Sequence, residues 1–247
     1  MLAQKLARLL PPSIRRRVGL WLGILTQPPR SHVGFGDLRR LAPISRDFGW
    51  MRGLPVDRHY IERFLSAHAS EIQGHVMEIG DNYYTRKFGR DRVTRSDVLH
   101  VVEGNPNATI VADLTRADHL PSDTFDCIIL TQTLQCIYDV RTALGTLHRI
   151  LKPNGVLLAT CHGISHLSRD EMDLWGEYWR FTDRSVRRLF AEFFPPNGLE
   201  VKQHGNVLAS IAFLHGLAAE ELSADELDYV DPDFQVIITV RATKGAE

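Results

Sequence analysis

The stretch HVMEIGDNYYTRKFG, residues 75–89, organises the chain on either side of it. Val76, Met77 and Ile79 form an apolar run too short for a helix and suited to a buried strand. Glu78 interrupts that run, where a carboxylate is costly without a partner. Gly80 and the polar pair Asp81-Asn82 follow. A glycine where a parallel strand ends lets the backbone turn sharply and approach a ligand, and open α/β sheets bind ligands at the carboxyl ends of their strands. The stretch reads either as a nucleotide-binding strand and turn or as an ordinary buried strand with a turn after it.

Upstream, Asp57 is an N-cap residue type, Tyr60, Ile61, Phe64 and Leu65 recur at helical spacing, and Gly74 stands where a C′ glycine would close that helix. Downstream, Tyr83 to Phe88 suits a short helix whose free N–H groups face an anionic or carboxylate ligand. A second strand is expected over 92–97, placing Asp97 at its end, roughly 20 residues past the glycine, as ribose-binding acids stand in nucleotide-binding α/β folds. Glu103 competes for that role if the strand is instead Val98 to Val102. A third strand, Thr109 to Ala112, ends at Asp113-Leu114, an acid able to accept from an adenine amino group beside a leucine able to pack on the ring; a helix N-cap is the other reading of Asp113. Phe125 to Leu130 is nearly all apolar, as a central parallel strand is, and Thr131-Gln132-Thr133 follows at its carboxyl end. An amphipathic helix over Val140 to Leu151 is stopped by Lys152-Pro153-Asn154-Gly155, and Val156 to Thr160 forms a fifth strand. Helices over 185–194 and 208–222 and strands over 199–204 and 234–242 complete the chain. Alternating strands with helices or turns imply a doubly wound, mostly parallel sheet.

With 247 residues, 44% hydrophobic and 24% charged, the chain suits one α/β domain with a decoration, and its formal net charge of -1 argues against a nucleic-acid partner. Cys127, Cys136 and Cys161 lack CxxC spacing and read as reduced thiols of a cytoplasmic protein. No apolar run is long enough to span a bilayer. Residues 1–55 read as a basic N-terminal extension and linker ahead of a domain over 56–247. Within the extension, residues 14–25 (IRRRVGLWLGIL) set a basic cluster before an apolar run, which suits peripheral contact with anionic lipid at the inner face of a membrane, or packing on the main domain or in a homodimer.

VMEIG, FDCIILTQTLQCIYD (125–139) and RILKPNGVLLAT (149–160) together resemble the class I S-adenosylmethionine-dependent methyltransferases, in the small-molecule, type 11-like branch. The resemblance covers about 57–242 and implies a Rossmann-like, seven-stranded α/β sheet with an antiparallel last strand. It also implies S-adenosylmethionine as cofactor. Glu78, Gly80 and Asp81 would then frame its methionine end, Asp97 its ribose, Asp113 and Leu114 its adenine, with Thr131 closing the site. The first motif departs from the family's ExGxGxG, because Asp81-Asn82-Tyr83-Tyr84 replaces the later glycines. The segment between Asp97 and Thr109 is too short for a crossover helix, so a loop is expected there.

A hydroxyl acceptor benefits from a general base near the transferred methyl. His162, just past the fifth strand, is the candidate, with His166 in reserve and a structural histidine as the alternative. No metal-ligand cluster is evident in the sequence. The aromatic run WGEYWRFT, residues 175–182, offers flat apolar faces to a sugar ring or lipid chain, or else caps the sheet. These features point to a small-molecule acceptor, a hydroxyl of a sugar or glycolipid. A catalytically inactive binding or regulatory module on the same fold is the alternative function.

Overall fold

The computed structural model describes residues 33–246, in two compact units. The first contributes residues 33–41, with one 3-10 turn at Gly36–Leu38. Segment 14–25, with its expected lipid or subunit contact, lies outside the described residues.

The second unit, 42–246, is built on a seven-stranded sheet: β1 (Gly74–Ile79), β2 (Val93–His100), β3 (Ile110–Val111), β4 (Phe125–Thr131), β5 (Leu151–His162), β6 (Leu199–His204) and β7 (Ile237–Thr243). The order is β3-β2-β1-β4-β5-β7-β6, with β7 antiparallel to both its neighbours and the other pairs parallel. The doubly wound α/β sheet with an antiparallel last strand is as expected. Helices α1 (Val56–Ala67), α2 (Val140–Ile150), α3 (Arg169–Leu174), α4 (Asp183–Phe190), α5 (Val207–Leu214) and α6 (Ala224–Asp228) surround it.

Period-2 alternation divides the strand residues between two cores. Met77, Ile128 and Leu130 pack with Ala143, Leu144, Leu147 and Ile150 of α2 and Phe190 of α4. Val76, Cys127 and Ile129 pack with Tyr60, Ile61, Phe64 and Leu65 of α1 and Phe213 of α5. Each large side chain removed from water in this way contributes about 1.5–3 kcal/mol. Asp139 caps α2, accepting from the Thr142 amide at 3.1 Å.

Several local expectations shift. Pro55, not Asp57, is the N-cap of α1, and Asp57 is buried inside the first turn. The helix ends at Ala67, and Gly74 begins β1 instead of closing the helix; its φ is +68° and the Asp126 carboxyl fills the space a side chain would take. Residues 45–55, read as linker, pack within the main unit: Ser45 N–H donates to His215 O and Ala219 N–H to Leu54 O. β5 runs from Leu151 to His162 because the Lys-Pro-Asn-Gly turn is absorbed as an irregularity in its pairing with β4, with Asn154 at φ +62°.

The largest shift is in β2. Its ladder with β1 runs unbroken from His75↔Arg95 to Ile79↔Leu99, so Asp97 lies opposite Met77 in mid-strand. The Asp97 carboxylate accepts from Thr109 Oγ1 at 2.8 Å, meets His75 Nε2 at 2.6 Å and lies 3.1 Å from Arg95 Nε. Burial alone would raise its pKa, but the His75 and Thr109 hydrogen bonds and the Arg95 charge outweigh burial and hold it below the usual range. A depressed native pKa stabilises the fold above the unfolded value of 3.8, and that contribution is lost as pH falls through the native value. Asp97→Ala is accordingly expected to cost about 2–4 kcal/mol in urea denaturation at pH 7, with a smaller deficit at strongly acid pH.

Candidate active site

Beyond the carboxyl ends of β1, β2, β3 and β4 opens a cavity of about 1090 Å³. Glu78, 2% exposed, organises its floor. One carboxylate oxygen accepts from the Tyr84 amide at 3.1 Å; the other accepts from the Thr85 amide and hydroxyl, both at 2.7 Å. These bonds draw the chain after Gly80 back onto β1 and start a π-helical turn at Thr85–Gly89, where a short helix was expected. Gly80 has φ +84°, and nothing lies within 4 Å of where a Cβ would stand, so a ligand can reach the backbone there. Asp81 faces the same space and accepts from the Tyr83 amide at 2.8 Å.

Asp113 and Leu114 line the cavity just past β3; Asp113 Oδ1 accepts from the amide and hydroxyl of Thr115, so the residue also forms a local turn. Thr131 lines it at the end of β4, beside Gln132, whose φ of +50° is unusual for a residue with a side chain. Of the sequence candidates, Glu78, Gly80, Asp81, Asp113, Leu114 and Thr131 thus share one cavity. Asp97 is not among its lining residues, and neither is Glu103, which is exposed in the loop after β2.

His162 does not line it either. Antiparallel pairing with Ile237 of β7 keeps His162 inside the sheet, 5% exposed and stacked 6.4 Å from the Phe213 ring. Burial, then the Arg180, Arg58 and His166 charges, push its pKa down to about 3, so the ring is neutral at working pH and a poor base. The acidic limb near the free-histidine value that a His162 base implies is therefore not expected. His166 in turn stacks on Phe48 at 4.0 Å. It is also absent from the cavity lining.

Residues not singled out as site candidates complete the cavity. Arg58 of α1 lines the cavity beside Tyr84, whose hydroxyl pKa burial raises against the opposing Arg58 charge, and lies 3.7 Å from Asp57. The Glu171 carboxylate on α3 accepts no hydrogen bond from a described residue; burial, then the nearby Glu177, raise its pKa. Trp50, Tyr138 and Tyr178 line the cavity and are largely exposed, with Tyr138 5.4 Å edge-on to Tyr178 and 5.7 Å from Trp179 in a stack. Of these three, only Tyr178 belongs to the aromatic run at 175–182 that the sequence singled out.

Burial raises the Glu78 pKa to about 7 despite the opposing hydrogen bonds from Thr85 and Tyr84. The native carboxyl keeps a proton that an unfolded glutamate releases near 4.5, so this group's contribution to stability declines as pH rises from about 4.5 through 7. Glu78→Gln is expected to flatten that part of the pH–stability curve while costing about 1–3 kcal/mol from a poorly matched amide, both read from denaturation midpoints across the pH range.

The family profile described as a methyltransferase domain matches residues 64–159. The ubiquinone/menaquinone biosynthesis C-methyltransferase UbiE of Marinomonas sp. (strain MWYL1) is 29% identical over 117 residues, 47% of this chain and 41% of that protein, so the match spans less than half of the relative. Among solved structures, an S-adenosylmethionine-dependent methyltransferase from Archaeoglobus fulgidus superposes with a TM-score of 0.51 at 10% identity, covering 76% of this chain and 94% of its own. A second, from Mesorhizobium loti, gives 0.50 at 18% identity, covering 76% and 97%. The sheet order and these matches show that the chain has the fold of the class I S-adenosylmethionine-dependent methyltransferases, and residues 64–159 match the methyltransferase-domain profile.

Proposed function

We propose that the protein transfers a methyl group from S-adenosylmethionine to a small-molecule acceptor, a hydroxyl of a sugar or glycolipid. The observation that carries this reading is the open cradle at Gly80, set between Glu78 and the Asp113-Leu114 turn in a single cavity. Backbone free of side chain at that point admits the methionine end of the cofactor, and Asp113 and Leu114 suit its adenine. Carboxylates at 62, 78, 81, 113 and 171 outnumber the cations Arg58 and Lys87 along the lining, which favours a ligand carrying positive charge. When bound, the cofactor supplies an activated methyl on a sulfonium.

The chain's own contribution is to hold the acceptor in line and to exclude water. Trp50, Tyr138 and Tyr178 supply flat faces on the acceptor side, and this rim is the support for a sugar ring. Glu171, beside Arg58, is the carboxylate placed to take the hydroxyl proton, a role His162 cannot fill.

S-adenosylhomocysteine at 100 times its Kd is expected to stabilise the folded protein by about 2.7 kcal/mol, with no comparable thermal shift from NAD or NADP. Gly80→Ala, which forces a side chain into a left-handed backbone, is expected to weaken S-adenosylhomocysteine at least about tenfold without unfolding the protein. Absence of a shift with S-adenosylhomocysteine overturns the reading. Binding without turnover across nucleotide-sugar and lipid-linked sugar acceptors supports the inactive binding module instead.

A further inference from the structure

The parallel ladder that withdraws Asp97 from the cavity puts another residue in its place. Ile79 pairs with Leu99, and Gly80 N–H donates to Leu99 O at 3.0 Å, so the residue level with the ligand-facing glycine is His100. His100 is the last residue of β2 and lines the cavity. The acid offered by the loop beyond it, Glu103, is exposed and off the lining. That loop is anchored elsewhere: Asn105 Nδ2 donates to Gly80 O at 2.6 Å.

The tautomer of His100 follows from its partner. Nδ1 lies 2.7 Å from Val102 O, and a carbonyl only accepts, so Nδ1 carries the proton. Nε2 of the neutral ring is then an acceptor, and it makes no hydrogen bond with a described residue. Trp175, which also lines the cavity, stands edge-on to the ring, 5.5 Å between centroids and 83° between planes, and packs against it.

We infer that His100 replaces the ribose-binding carboxylate of this fold, its Nε2 accepting a hydrogen bond from one ribose hydroxyl of the cofactor. The inference rests on the methyltransferase reading and makes a narrower claim. A carboxylate can accept from both hydroxyls of a ribose diol; a single ring nitrogen accepts from one. Recognition should therefore depend strongly on one hydroxyl and weakly on the other.

Calorimetric titration of S-adenosylhomocysteine, and of analogues lacking the 2′- or the 3′-hydroxyl, into wild type, His100→Ala, His100→Gln and Glu103→Ala tests it. Wild type is expected to lose about tenfold in affinity for one deoxy analogue and little for the other, tenfold being the size of one hydrogen bond. His100→Ala is expected to bind S-adenosylhomocysteine about tenfold more weakly and to lose that discrimination. His100→Gln, which keeps an acceptor, recovers part of both, and Glu103→Ala behaves as wild type. The inference is overturned if wild type binds both deoxy analogues as tightly as the parent, if His100→Ala keeps the wild-type discrimination, or if the loss appears at Glu103→Ala. Should His100→Ala fail to fold, the wild-type analogue comparison and His100→Gln still decide it. Binding to wild type with no effect at His100 refutes this inference alone; no binding to wild type removes the methyltransferase reading with it.

Discussion

A buried carboxylate accepting three hydrogen bonds from the turn that follows it is the constraint on which this site depends. Glu78 holds Tyr84 and Thr85 against the end of β1, and the turn between them is shaped by those bonds instead of by a run of glycines. One glycine is enough when a side chain upstream fixes the path of the chain beyond it. The missing glycines of the first motif therefore alter the means of building the turn and leave the cradle at Gly80 intact.

Strand pairing then decides which side chains reach the cavity. A residue on β2 meets the cavity only if its partner on β1 lies at or beyond Ile79, and this selects His100 over Asp97. The same logic operates on the other flank. β5 continues in register with β7 through His162, and the histidine is drawn into the apolar core beside Phe213 before the chain turns outward. Two candidates chosen for standing near a strand end were displaced because both strands run longer than their apolar residues suggest.

The acceptor side is assembled differently. Its polar groups come from α1 and α3, separated by more than one hundred residues, and its rings come from segments around 50, 138 and 178. None of these shares a motif with another. Burial next to Asp57 and Tyr84 holds the Arg58 guanidinium, and the Glu171 carboxylate near it accepts no hydrogen bond from a described residue. The result is a polar end inside an aromatic rim, in a space that also contains the strand-end acids.

The sequence by itself determined the order of strands and the group Glu78, Gly80, Asp81, Asp113, Leu114 and Thr131, while the antiparallel last strand was implied by the family resemblance. These are local signals: apolar alternation, a glycine at a turn, an acid at a strand end. Only the tertiary structure decided the length of β2 and β5, and with it the fates of Asp97 and His162, because strand ends are set by the partner strand's register and not by the strand's own residues. It also decided the acceptor side, since Arg58, Glu171 and Trp50 become neighbours of one cavity only once the helices pack on the sheet.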